Sequence, residues 1–226
     1  MRQAILEEVM RIRQRMPRLG TRKIHYLLKD SLPVGRDRLF RILAAESLLI
    51  RRKKRYIRTT DSRHWMHTYK DHSKELLLQR PEQLWVADIT YVRTKDSAAY
   101  LHLVTDAYSK RIMGYTVSKD LTATSTQAAL EMALRNRHYP RRALLHHSDR
   151  GLQYCSSGYV QTLQDHHCMI SMTQSGSPYD NAVAERVNGI LKDEFSCDEV
   201  FDTYAQAKQF IDQAIMIYNT QRPHLS

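Results

Sequence analysis

A mixed α/β sheet preceded by a small all-helical unit is the fold that this sequence predicts, and three observations predict it. Apolar residues recur at helical spacing through the first fifty or so positions. From Pro81 the pattern changes to short β-branched and aromatic runs alternating with amphipathic stretches, in the order βββαβαβα. The charge divides at the same place: residues 1–80 carry 21 Lys and Arg against 8 Asp and Glu, a net +13, and the remaining 146 carry 14 against 16, a net −2.

The helical part is read first. Ile5, Leu6, Val9, Ile12 and Met16 fall at helical spacing, and the run stops at Pro17 and Gly20. Thr21 is placed to cap a second helix carrying Ile24, Leu27 and Leu28. Ser31 to Gly35 then break the chain before a third helix with Leu39, Ile42 and Leu43. Arg36, Arg38 and Arg41 lie away from that helix's apolar stripe, as in a helix entering a major groove, or as solvated arginines on a plain packing module. Residues 51–80 read as a linker opened by Arg51, Arg52, Lys53, Lys54 and Arg55, five adjacent cations suited to tracking phosphates.

The sheet part follows from residue 81. Strands are predicted over 84–92, 100–107 and 111–117, separated by short polar turns at 95–97 and 109–110. Thr122 caps a helix running to about residue 138, before a strand at 143–147. A helix over about 156–166 leads to a strand at 168–172, then a helix from about Asn181 and another over about 203–218.

Composition excludes several classes. No apolar run approaches the roughly 20 residues a membrane span needs, and the basic stretches lack the aromatic face of a membrane-surface helix. The N-terminal segment alternates arginine with apolar residues and has no secretory h-region, so a cytoplasmic, nucleoid-associated protein is expected. Cys155, Cys168 and Cys197 are odd in number and lack CxxC spacing, which argues for reduced packing residues. A basic arm joined to a slightly acidic body implies that one part neutralises phosphates while the other does something else.

Three carboxylates attract attention as a set. Asp88 lies mid-strand in Trp85-Val86-Ala87-Asp88-Ile89-Thr90-Tyr91, where it needs a cation, whether a metal or a buried arginine. Asp149 follows the strand ending at His147, where α/β sheets build sites, or where it caps the turn at Arg150-Gly151. Glu185 stands in the first turns of a helix that Asp180 or Asn181 can cap, on a polar stripe with Asn188, Gly189 and Lys192. Singly it reads as a solvated glutamate. Together, three hard oxygen donors suit Mg²⁺ or Mn²⁺, where zinc would call for His or Cys. Two such ions, about 3.5 to 4 Å apart, activate an attacking hydroxyl and stabilise a leaving oxygen in phosphoryl transfer. Most of the eleven histidines are read as non-ligands, and Asp106 and Asp180 as turn or cap residues.

These motifs, Trp85 to Tyr91, His147-Ser148-Asp149-Arg150-Gly151 with Gln153-Tyr154, Ser175-Gly176 to Asn181 and Glu185, and the later Lys192, resemble those of the DDE transposases of bacterial insertion sequences. The likeness is to the second-reading-frame catalytic protein of the IS-three family, which is related to retroviral integrases. Thirty-five residues separate Asp149 from Glu185, the family's spacing, and Tyr218-Asn219 to Arg222-Pro223-His224 resembles its closing motif. Leu19 to Ile24 resembles its helix-turn-helix more weakly.

The resemblance implies an RNase H-like integrase catalytic core over 81–226, a helix-turn-helix DNA-binding domain over 1–50 and a basic linker over 51–80. It implies two Mg²⁺ ions, with Mn²⁺ as a substitute, held by Asp88, Asp149 and Glu185. The implied activity is binding of terminal inverted repeats, hydrolysis to free a 3′-hydroxyl, and transesterification by that hydroxyl on another strand. Lys192 would touch DNA near the cleaved end. The implied partners are transposon-end and target DNA, a homo-oligomer that is dimeric or larger in synapsis, and a first-reading-frame protein, fused or paired. The chain stops at Ser226, earlier than the family leads one to expect, and lacks the leucine zipper that the first frame supplies. A regulator that binds ends without cutting them and a simple nuclease of the same fold are the alternatives that an end-joining assay separates.

Overall fold

The computed structural model describes residues 1–31, 34–50, 66–174 and 182–225. The chain opens with α1 (Arg2–Arg15), α2 (Thr21–Leu28) and α3 (Arg36–Ala45). Their stripes are buried as the periodicity requires: Ile5, Val9, Ile12, Met16, Leu19, Ile24, Leu28, Leu39 and Leu43 are all inside. Thr21, expected as the cap of α2, is instead its first helical residue, and Gly20 holds the N-cap position with no side-chain bond. The threonine is used for packing, since its residue is buried, and glycine at an N-cap costs only a few tenths of a kcal/mol against a better capper.

The sheet has five strands: β1 (Leu84–Arg93), β2 (Ala98–Asp106), β3 (Ile112–Ser118), β4 (Leu144–Ser148) and β5 (Cys168–Met172), in the order β3-β2-β1-β4-β5. β1, β2 and β3 form an antiparallel meander, and β4 and β5 add in parallel beside β1. The expected mixed sheet is therefore formed, with every expected strand in place. Four helices accompany it in sequence: α4 (Ala123–Arg135), α5 (Ser157–Asp165), α6 (Ala182–Glu194) and α7 (Tyr204–Thr220). Thr122 caps α4 as expected, accepting from the Ser125 amide at 3.3 Å.

Alternation along β1 divides the core. Trp85 and Ala87 face one way, into a cluster with Val104, Met113, Ala129, Leu130, Ala133, Tyr159 and Leu163 of α4, α5 and the strands. Leu84 and Val86 face the other way, with Ala107, Leu145 and, from the first turn of α6, Ala184 and the half-buried Val183. Period-two spacing puts Asp88 on this second face, the side where α6 packs. Gly114 is a true close approach: a Cβ there would lie 2.1 Å from the Ala129 carbonyl oxygen, so β3 and α4 can meet only without a side chain.

Grouped by contact, the chain forms two units that do not follow sequence order. Among the described residues, one takes 1–31, 34–50, 190–199 and 209–225, and the other 66–174, 182–189 and 200–208. Within the first, Glu194 near the end of α6 is met by the Lys23 ammonium of α2 and by Arg222, whose Nε and Nη2 lie 2.9 and 3.1 Å from its carboxylate oxygens. Arg15 donates to Gln221 at 2.8 Å in the same unit. The helical unit thus includes the closing Arg222 motif.

Part of the expected linker is packed. Residues 51–65, with the run Arg51 to Arg55, lie outside the described residues. Beyond them, the His72 amide donates to Ser171 Oγ at 2.9 Å, Gln174 donates to the Tyr69 carbonyl at 2.9 Å, and Tyr69 packs on the main core cluster. Asp71 is buried and accepts from the Ser73 amide and hydroxyl at 2.9 and 2.7 Å. Side chains satisfy this backbone where no regular ladder does, so no periodicity marks it in the sequence. Among the described residues no helix is long and apolar enough to cross a membrane.

Candidate active site

Asp88 and Asp149 are brought together by strand register. β1 and β4 run parallel with Leu84 beside Leu145 and Val86 beside His147. That register runs toward Asp88, two residues further along β1, and toward Asp149, the first residue beyond the end of β4. β4 ends at Ser148, and there the Gly151 amide donates to Asp149 Oδ1 at 2.9 Å, closing a tight turn. The carboxylate thus serves the turn, as the capping reading has it, and stands just beyond the strand end. A Cβ on Gly151 would press against Gln153 Oε1 and Asp149 Oδ1 at 3.0 and 3.1 Å, so the smallest residue suits this turn.

α6 supplies the third side. Asn188, one turn beyond Glu185, donates its amide to Asp88 Oδ2 at 2.6 Å. Asn188 is buried, and its Oδ1 has no hydrogen-bond partner among the described residues. Glu185 is exposed, and desolvation at its position pushes its carboxyl above the ordinary glutamate value. The buried phenol of Tyr154 registers both aspartates: burial first, then the negative charges of Asp149 and Asp88, push it well above the usual tyrosine value. The candidate site is thus a carboxylate midway along β1, a second just beyond the end of β4, a third on α6, and an amide that fixes the first of them.

The integrase core domain family matches residues 79–178, and a second integrase core domain model matches residues 166–226. The chain is 37% identical over 212 residues to the insertion element IS600 uncharacterized 31 kDa protein of Shigella sonnei, an alignment covering 91% of this chain and 76% of that protein. It belongs to the insertion-sequence DDE transposases. The transposase is also 37% identical over 176 residues to the transposase for insertion sequence element IS629 of Shigella sonnei, across 76% of this chain and 58% of the relative. Against the transposase for IS904 of Lactococcus lactis the identity is 37% over 145 residues, and the match spans 57% of that protein. A chain of the simian T-cell lymphotropic virus intasome in complex with PP2A regulatory subunit B56 gamma matches with TM-score 0.55 at 18% identity, covering 92% of this chain and 67% of that one. The fold is the RNase H-like mixed sheet of integrases and transposases.

The remaining expected site residues of the transposase are placed unevenly. Lys192 lies in the last turn of α6, two turns from Glu185 and partly exposed. Arg36, Arg38 and Arg41 are exposed on α3. Arg36 pairs with Asp37 at 3.0 Å, and Arg38 and Arg41 line a surface depression of about 310 Å³ with Arg2, Ile42 and Ala45. Asp106 is a cap as expected: fully buried, it accepts from the Glu82 amide at 2.8 Å and the Ser109 amide at 2.7 Å. Asp180, Asn181 and the Ser175-Gly176 motif lie outside the described residues.

The histidines near the site have hydrogen-bonding roles. His146 meets the Tyr159 hydroxyl at 2.9 Å, and burial lowers its pKa to about 3. His147 Nδ1 lies 2.8 Å from Ser171 Oγ. The three cysteines are free thiols, and burial raises the pKa of each.

Asn188 is the residue whose role the sequence did not reveal. Its place on the Glu185 stripe is visible, but its reach to Asp88 exists only once α6 packs on β1. An outer partner of a metal-holding carboxylate is typically worth about tenfold to a hundredfold in metal affinity or activity. Asn188→Ala is expected to show that loss in Mg²⁺-titrated activity, and a variant unchanged at limiting Mg²⁺ would deny Asn188 the role.

Proposed function

We propose that this transposase binds transposon-end DNA, cleaves it to free a 3′-hydroxyl and joins that hydroxyl to another strand, with Asp88, Asp149 and Glu185 as its metal-holding carboxylates. The observation that carries this reading is the parallel pairing of β1, which carries Asp88, with β4, which ends one residue before Asp149, and the Asn188 amide, one helical turn from Glu185, holding Asp88.

The residues fit a divalent cation by donor chemistry. All the groups are hard oxygens, and a buried amide oxygen on Asn188 stands without a partner among the described residues beside them. Among the described residues, no group of three or more His, Cys, Asp or Glu side chains closes to metal-holding distance. Mg²⁺ does not require such a cage, because it keeps waters and binds through one or two carboxylates plus substrate phosphates. Asp88 and Asp149 would hold it, and Glu185 would complete the set. When bound, the metal supplies charge neutralisation at the scissile phosphate and a more acidic attacking hydroxyl.

The chain's own residues do the rest. Asn188 orients Asp88, and the Gly151 amide orients Asp149. Glu185 must give up its proton to act as a ligand, and desolvation, which raises its pKa, opposes that until a cation is bound. The α3 arginines Arg36, Arg38 and Arg41, the run Arg51 to Arg55, and Lys192 are the cations assigned to DNA, consistent with the +13 charge of residues 1–80. Synapsis of two ends calls for a dimer or larger assembly.

Pre-cleaved end DNA, a target plasmid and Mg²⁺ test the proposal in one tube. Joined products are the expected result. Hydrolysis without joining would reduce the protein to a nuclease, and end binding without either would make it a regulator.

A further inference from the structure

We infer that Arg150 is a positioning residue that ties the Asp149 turn to the exit of β5, the strand end from which the chain leads on to Glu185; the inference rests on the triad reading above. The β4–β5 ladder runs in register from Leu144 with Cys168 to Ser148 with Met172, and the Thr173 amide extends it by one bond to the Ser148 carbonyl, at 3.0 Å. There β4 leaves the sheet, because Asp149 Oδ1 draws the Gly151 amide into its turn.

The Arg150 side chain spans from that turn to the end of β5. Its Nε donates to the Thr173 carbonyl at 2.6 Å and its Nη2 to the Gln174 carbonyl at 2.8 Å. A guanidinium is a planar fork with donors at fixed spacing, so it spans two consecutive carbonyls where an ammonium reaches them only as a point charge. The same strand exit is gripped from elsewhere: Gln174 Nε2 donates to the Met172 carbonyl at 3.2 Å and to the Tyr69 carbonyl at 2.9 Å. A cation beside a catalytic aspartate in a DNA enzyme would ordinarily be assigned to phosphate. Here two of its nitrogens are committed to main-chain oxygens, which makes the residue a tie between the turn and the strand exit.

The consequence concerns alignment. Asp88 and Asp149 meet through β1 and β4, whereas Glu185 arrives through the chain that leaves β5. Arg150 is the side chain adjoining Asp149 that joins those two routes, so its loss should weaken metal binding without touching DNA affinity. The test uses the full chain and three readouts: Mn²⁺ affinity by calorimetry, affinity for end DNA in EDTA across a salt series, and strand transfer against Mg²⁺ concentration. For Arg150→Ala and Arg150→Gln the Mn²⁺ dissociation constant is expected to rise about tenfold to a hundredfold. Added metal should restore part of the rate, and DNA affinity and its salt slope should not move. Arg150→Lys should recover part of the loss, and it carries the comparison if the alanine variant does not fold.

A fall in DNA affinity with a salt slope shallower by about one would make Arg150 a phosphate contact and overturn the inference. So would wild-type Mn²⁺ affinity in all the variants. Asp149→Asn run in parallel separates the two levels. If it loses Mn²⁺ affinity while the Arg150 variants do not, this inference alone fails; if it retains both Mn²⁺ affinity and activity, the triad reading fails as well.

Discussion

Asp149→Asn is expected to reduce Mg²⁺-dependent strand transfer by about a thousandfold or more while leaving end-DNA affinity in EDTA unchanged. The magnitude follows from the charge that the site must supply: metal-borne stabilisation of several kcal/mol, at 1.36 kcal/mol per decade of rate, spans about three decades. Asparagine keeps the size and an oxygen acceptor for the Gly151 amide, so the turn that Asp149 closes at 2.9 Å survives the exchange. Only the negative charge is removed. The same logic applies to Asp88→Asn, whose neighbour Asn188 then faces an amide in place of a carboxylate. A variant that kept a tenth of wild-type activity would place the metal elsewhere. One that lost DNA affinity in equal measure would point to damage in the fold.

Glu194→Gln is expected to cost the protein about 3 to 5 kcal/mol, the range for removing one partner of a buried ion pair. The Arg222 side chain is 3% exposed and those of Lys23 and Glu194 are 16% exposed, so solvent offers little relief to cations left behind. That loss is a large share of a typical total stability of about 5 to 15 kcal/mol. The pH dependence has a definite sign. Burial alone would raise the Glu194 carboxyl, but hydrogen bonds from Arg222 and Lys23 outweigh it and hold the pKa below the ordinary glutamate value. A depressed folded pKa means that this stability is present above the unfolded value and is lost as pH falls through the folded one. Denaturant melts of both proteins at neutral and acid pH should therefore converge on acidification. A variant within 1 kcal/mol of wild type at neutral pH would show the network to be solvated.

What the sequence made legible and what it hid differ in kind. β1, β2 and β3 could be read from β-branched and aromatic runs, α4 from Thr122 and the alanines behind it, and Asp149 from its place just after an apolar strand. Each is a local signal with a fixed period or cap. Asp88 and Asp149 were legible as a pair only through their motifs, because the register that sets them side by side is a long-range property. Residues 66–80 looked like a linker because Asp71, His72 and Tyr69 make their bonds through isolated side chains and carbonyls, which leave no period. The alliance of Glu194 with Lys23 and Arg222, and of Arg150 with the Thr173 and Gln174 carbonyls, was hidden for the same reason. Thr21 misled because a threonine before a helix reads as a cap, whereas here its methyl group is worth more inside.

The central claim is that Asp88, Asp149 and Glu185 act by holding a metal, and exchanging the hardness of one ligand tests it most directly. In Asp149→Cys the oxygen donor becomes a thiolate, which Mg²⁺ binds poorly and the softer Mn²⁺ accepts more readily. Strand transfer by this variant should be absent with Mg²⁺ and return with Mn²⁺, while the wild-type protein works with both. Equal activity of the cysteine variant in the two metals, or equal loss in both alongside intact DNA binding, would contradict metal ligation by Asp149.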